Sequence, residues 1–311
     1  MAGLLLRQII PVVLGVTLLG FLLMVHFGPD RALELAGRNP TLEEVERIRQ
    51  LLRDDRPLVV QYAYYLKDLF TLNLGRSDFT NEPVREMLAR TLPNSLALLL
   101  PGFVLGQLLA LALAAVAAHH QGRGLDRYIN LFALITMSIS FVVIMMAMQV
   151  LLASRYGLNW FPARGWSLAS PLTYLKYVAV PTLVILVASC GYNLRFYRAL
   201  FLEALGKPHV QAARALGYTP WRLMTVAVLP NTLLPIATRL MYAIPSLLVG
   251  GSLLLETYFG IPGIGRITFD AIANGDQPVL KAILGLSSLL MALVMIATDR
   301  LYSVVDPRIH G

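Results

Sequence analysis

His209-Val-Gln-Ala-Ala-Arg214-Ala-Leu-Gly217-Tyr-Thr-Pro220-Trp-Arg222, closed by Leu229-Pro230, lies between two apolar segments long enough to cross a membrane. It carries Arg214 and Arg222, has Lys207 just upstream, and spaces its apolar residues as a short helix does. A hydrophobic chain has little reason to hold an ordered basic helix outside the bilayer unless something soluble docks there. The stretch therefore separates lipid-embedded spans on either side from a working connection between them.

Composition agrees. Of 311 residues, 57% are hydrophobic and 14% charged, and the mean hydropathy is +0.64. These values fall outside those of ordinary soluble domains and point to an all-α, polytopic membrane protein. A spanning helix needs about 20 mainly apolar residues, and the stretches 4–27, 96–118, 129–153, 174–190 and 279–305 qualify readily. The run 224–255 carries Pro230, Pro235, Arg239 and Pro245, and is expected to be a broken entry followed by a span over 239–256. The first span is too long for the apolar part of a signal peptide, and no small-x-small site follows at His26-Phe27-Gly28-Pro29, so it should stay as an anchor.

The formal charge of +8 raises nucleic acid as a partner, but position argues against it. The basic residues sit mostly in connections between spans: Arg7, then Arg123 and Arg127, then Arg195, Arg198, Lys207, Arg214 and Arg222, then Arg300 and Arg308. By the positive-inside rule these connections are cytoplasmic, giving six spans with both termini inside. The lone Cys190 can form no internal disulfide. In the long connection 28–93, Thr41-Leu-Glu-Glu44 reads as a capping box, and Pro57 opens a second amphipathic helix through Gln61-Tyr62-Ala-Tyr64-Tyr65-Leu66 that ends near Asn73-Leu74-Gly75. This external helical subdomain is too short to build much core alone and should pack on the spans.

Gln211-Ala212-Ala213, then Gly217, Ala227 and Leu229-Pro230 at their present spacing resemble the Glu-Ala-Ala loop of permease subunits in bacterial ABC importers. Gln211 stands where Glu is usual, and Ala227 where Ile is usual. A second block, Gly250-Gly251-Ser252-Leu-Leu-Leu-Glu256-Thr257-Tyr258-Phe259-Gly260-Ile-Pro262-Gly263-Ile-Gly265-Arg266, is similar to the outer end of the fifth span in dipeptide and oligopeptide permeases. Arg56-Pro57-Leu58, Leu74-Gly75-Arg76-Ser77, Leu92-Pro93-Asn94-Ser95 and the terminal Asp306-Pro307-Arg308 match the same branch. Two signatures depart: Phe27-Gly28-Pro29-Asp30 stands for Pro-Gly-Asp, and Arg53-Asp54-Asp55 for Gly-Leu-Asp.

The resemblance implies a type I ABC-importer permease fold in a bacterial inner membrane, with a permease core over 94–311. Spans are then expected at 1–28, 94–118, 129–153, 174–194, 231–256 and 279–305. The external parts are the subdomain 29–93, the loop 154–173 and a gate loop 257–278. The cytoplasmic parts are 119–128, a coupling loop 195–230 and the tail 306–311. Implied partners are a second homologous permease, two ABC ATPase subunits, a periplasmic solute-binding protein and the lipid bilayer. ATP and Mg belong to the ATPases, with no cofactor in this chain.

Two sites follow. The docking and coupling element comprises His209, Val210, Gln211, Ala212, Ala213, Arg214, Ala215, Leu216 and Gly217, with Leu229 and Pro230 setting the angle of membrane re-entry. Gly217 should end its helix in the left-handed conformation, Pro220 should start a new element, and the small alanines allow close approach of a partner. The outer gate would comprise Glu256, Thr257, Phe259, Pro262, Gly263 and Gly265. A carboxylate at a span end should face the bundle interior or water, and four glycines favour a non-helical turn. That block reads either as a gate or as a structural plug whose charge pairs with a neighbour.

Gln107, Asn130, Thr136, Ser138, Ser140, Gln149, Ser189, Asn193, Ser246 and Ser252 are candidates for pathway walls, although such side chains also knit helices together. The histidines have no metal-ligand spacing, Gly206-Lys207-Pro208 is no phosphate-binding loop, and no catalytic arrangement lies within the spans. Hydrolysis would come from another chain. A secondary transporter, which needs internal repeats and midplane ionisable groups, and an intramembrane enzyme are the rival classes. Cargo is expected to be peptides or peptide-like molecules, with nickel complexes or other non-peptide solutes as the alternative.

Overall fold

A computed structural model describes residues 2–37 and 39–305, so the Asp306-Pro307-Arg308 signature and the tail lie outside the described residues. In chain order the helices are α1 (Ala2–Phe27), α2 (Arg31–Leu35), α3 (Leu42–Leu52), α4 (Leu58–Phe70), α5 (Val84–His119), α6 (Gly124–Ser138) and α7 (Phe141–Ala153). They continue as α8 (Pro171–Leu205), α9 (Pro208–Ala215), α10 (Pro220–Arg222), α11 (Leu229–Ser246), α12 (Ser252–Phe259), α13 (Ile264–Ala273) and α14 (Gln277–Val305). No β-strand occurs among the described residues. Five helical stretches are long and apolar enough to cross a membrane, and α6 with α7 make a sixth if the pair counts as one span.

Two spans differ from the sequence expectation. The stretch 129–153 is not one rod: α6 and α7 meet at Ile139-Ser140 with a bend of 100°. Neither residue is Pro or Gly, so apolar continuity gave no hint of the bend. The proline-bearing stretch expected to break stays helical, because π-helical segments at Leu223–Val228 and Leu247–Gly251 flank α11. Their wider turns absorb the register change where Pro230, Pro235 and Pro245 withhold backbone donors.

The centre of the bundle is the long contact of α5 with α8. Small residues let the two backbones approach: Gly102 abuts Ile185, Gly106 abuts Ser189, and Ala110, Ala114 and Ala117 are fully buried. A Cβ added at Gly102 would sit 2.8 Å from the Cβ of Ile185. Helix α6 joins this pair through Gly191, packed on Thr136 and Ala133, and through a two-armed ion pair. There Nε and Nη2 of Arg198 each donate at 2.8 Å to the carboxylate of Asp126, which is largely buried. Asp126 also accepts from the Gly122 N–H and from Asn130 Nδ2.

At one end of the bundle α4 lies against α14 and Phe21 of α1, and α3 packs on α2. The capping box at the start of α3 is complete: the Glu44 N–H donates to Thr41 Oγ1 and the Thr41 N–H to Glu44 Oε2. The bond from the Thr41 N–H, with the Thr41 hydroxyl beside it, holds the Glu44 carboxyl below its usual range. Helix α3 buries no residue, and α4 buries Leu69. Phe21 of α1 meets the rings of Tyr62 and Tyr65, and Tyr65 Oη donates to the Lys281 carbonyl at 2.9 Å. The fastening of α4 is therefore aromatic contact with the spans rather than a core of its own. Helix α4 ends at Phe70, before the expected Asn73-Leu74-Gly75, and the turn continues through positive φ at Leu72 and Gly75.

Candidate functional site

Helix α9 begins at Pro208, whose fixed φ suits a first helical position. It stops because Gly217 adopts φ +83°, and Pro220 opens α10. The Gly217 and Tyr218 N–H groups close the last turn on the carbonyls of Arg214 and Ala213. Only Val210 is buried, seated among Phe201 and Ala204 of α8 and Leu223, Met224 and Val228 of the π-helical segment. Gln211, Ala212, Arg214, Ala215 and Gly217 face outward, Ala213 is half-buried, and Leu216 is 79% exposed. His209 contacts Asn231 at 3.3 Å, next to Leu229-Pro230 at the foot of α11. Gln211 Nε2 donates to the Gly206 carbonyl at 3.1 Å, a bond that a carboxylate at this position could not make.

The second candidate site is built around Glu256 of α12, which is 0% exposed. It pairs with no cation among the described residues. Ser95 Oγ donates to Glu256 Oε1 at 2.6 Å, the Arg266 N–H donates to Oε2 at 3.0 Å, and the Ile264 N–H donates to Ser95 Oγ at 2.7 Å. The carboxyl thus closes over the start of α13, where unpaired amides favour an acceptor. Sequence alone expects a broad non-helical turn, but the irregular backbone is confined to residues 260–263. Gly250 and Gly251 lie in the second π-helical segment, and Gly265 lies within α13. A Cβ at Gly263 would meet the Glu256 carboxyl at 2.4 Å, and one at Gly265 would meet the Leu253 amide nitrogen at 2.4 Å.

Neighbouring loops lock this block. Asn94 Nδ2 donates to the Pro262 carbonyl, Trp166 Nε1 donates to Asn94 Oδ1, and the Gly165 N–H donates to the Phe259 carbonyl. Tyr258 is hydrogen-bonded to Gln149. Phe259 is buried, and the buried Thr257 hydroxyl has no partner among the described residues. Sequence reasoning quoted Asn94-Ser95 only as a resemblance. Its role in holding Glu256 needed the fold, because the two segments are far apart in the chain.

The polar candidates within the spans divide between two cavities. Gln107, Ser189, Asn193 and Ser246 line one of ≈ 750 Å³ between α5, α8, α11 and α14. Thr136, Ser138 and Ser140 line another of ≈ 470 Å³ at the α6–α7 bend. Asn130, Gln149 and Ser252 border neither; each bonds to its own surroundings. Arg239, read from sequence as an interruption, lies on the wall of the larger cavity. The signal was available: an ionisable residue within a membrane span is a site candidate by default.

Membrane-length helices, an open cavity with polar side chains on a mainly apolar wall, and an exposed basic helix define a polytopic α-helical membrane protein. The chain belongs to the family of binding-protein-dependent transport system inner membrane components. That family's profile matches residues 110–311, and the profile of its N-terminal region matches residues 1–99. A Brucella suis biovar 1 protein with a provisional name as a peptide transport system permease is 33% identical over 306 residues, 97% of this chain and 96% of that protein. The dipeptide transport system permease protein of Lactococcus lactis subsp. cremoris is 31% identical over 88% of each chain. The glutathione transport system permease protein of Escherichia coli O6:H1 is 29% identical over 97% of this chain and 96% of its own. Among solved structures, the inward-facing MetNI methionine ABC transporter superposes with a TM-score of 0.58 at 22% identity, covering 72% of this chain and 99% of that one. That likeness concerns the fold, which is that of a type I importer permease.

Proposed function

We propose that the chain is the membrane-embedded permease subunit of an ATP-driven peptide importer in a bacterial inner membrane, with both termini cytoplasmic. It pairs with a second, similar permease to form the translocation pathway, and a periplasmic binding protein delivers the cargo. The names of its relatives support peptides as the cargo class. Two partner ATPases bind ATP and Mg and carry out hydrolysis, while this chain is the conduit. The observation that carries the reading is α9: its outward face is free, while Val210 keys its inward face to α8 and to the foot of α11. An ATPase clasping Gln211 through Gly217 would move both spans together, switching the pathway between inward and outward openings. At the other end, Glu256, Thr257, Phe259, Pro262, Gly263 and Gly265 act as the outer gate, moving with α5 through Ser95 and Asn94.

The test is Gly217→Asp in the assembled complex. Space at Gly217 is open, so the change perturbs the outward surface and the left-handed turn rather than the core. Uptake and cargo-stimulated ATP hydrolysis should fall together; if both stay intact, the coupling role is wrong.

A further inference from the structure

The larger cavity holds one charge and nothing to balance it. Its described lining includes no Asp or Glu, and Arg239 makes no ion pair among the described residues. The guanidinium is placed but not saturated. Nε donates to Asn193 Oδ1 at 3.1 Å, and Cζ stands 4.4 Å over the Phe196 ring, leaving the terminal N–H groups with no partner among the described residues. A cation within a span is costly unless it meets a partner, water or a ligand. A volume of ≈ 750 Å³ lies in the range of small-molecule sites.

We infer that Arg239 is a cargo-binding residue that receives a carboxylate of the passing peptide through its free guanidinium edge. Asn193 and Phe196 fix the plane of the fork. A planar fork matches a carboxylate bidentately, which an ammonium cannot do, and Asn193 and Phe196 already restrict the side chain before cargo arrives. The cavity therefore selects peptide-like molecules with a free carboxyl group over neutral or cationic ones of the same size. This inference rests on the peptide-importer reading and adds the chemical group that the pathway recognises.

The test uses the complete assembly in proteoliposomes with its binding protein. Uptake is measured for a series of short alanine peptides with free or amidated C-termini, in wild type, Arg239→Lys and Arg239→Gln. Arg239→Gln should lower uptake of the free-carboxyl series about tenfold or more, the scale of one lost charge-assisted bond. Arg239→Lys should recover only part of what Gln removes and fall between Gln and wild type, since charge is kept but the fork is lost. Uptake of the amidated series should be the same in all three proteins. The inference is overturned if both series fall alike, if Lys recovers nothing of what Gln removes, if Gln has no effect, or if Gln expels the second permease on co-purification. Wild-type assemblies that import neither series would overturn the peptide reading itself, and this inference with it.

Discussion

Glu256 could be singled out from sequence, as an acid at the end of an apolar run, but the company it keeps could not. Ser95 and the Arg266 amide hold it, the Ile264 amide holds Ser95 in turn, and the block closes only because Gly263 and Gly265 lack side chains. At Gly265 the obstacle is the backbone of Ser252 and Leu253, which cannot swing aside. Gly265→Ala should therefore cost about 1–3 kcal/mol, the usual scale of overpacking. Gly250→Ala, where a methyl group meets nothing within 4 Å, should be neutral or favourable by up to about 1 kcal/mol from helix propensity. Melting temperatures of the two variants in detergent check this; equal values would contradict the packing argument. The glycines were legible as a cluster. Which of them are steric necessities was not, since that depends on what lies opposite.

Among the elements, local devices were readable because they act within one turn. The Thr41–Glu44 capping box, the left-handed Gly217 and the restart at Pro220 all depend on residues a few positions apart. The α6–α7 bend and the helical continuity through the prolines were not readable, because packing from other spans decides them. Helix–helix docking also creates a titratable liability at the end of the bundle that carries α2, α3 and α4. Asp54, just past α3, is half-buried near the ends of α1 and α14, and burial raises its carboxyl pKa, partly offset by Lys281 and Arg31. A raised carboxyl contributes stability below the ordinary carboxylate range, and that contribution is lost as pH climbs through the raised value. Asp54→Asn should therefore raise the melting temperature at neutral pH, with the gain shrinking toward pH of about 4. A gain that grows on acidification would show that its cationic neighbours outweigh burial.

Across the whole molecule, the proposed work passes through one narrow connection. Val210 is the only buried side chain of α9, so among the described residues it is the main anchor of that helix on the spans, with His209 at Asn231 and the half-buried Ala213 beside it. A carboxylate in place of Val210 would have no partner in an apolar cluster and would pull the helix away. Val210→Asp should accordingly leave the partner ATPases hydrolysing ATP at a rate that no longer responds to loaded binding protein, with uptake lost. ATPase assays with and without loaded binding protein read this directly, and a retained response would mean that force enters elsewhere.

The amino-acid sequence alone determined that this is a membrane-spanning helical chain with an exposed basic helix between two spans, because hydropathy, charge placement and turn residues act over short stretches. Only the tertiary structure decided that Ser95 holds Glu256, that α6 and α7 bend, and that Arg239 stands on a cavity wall without a counter-charge among the described residues. Those facts depend on which helix faces which. Within a bilayer that choice follows from close packing of small residues and from pairing of polar groups between distant segments, which no local pattern encodes.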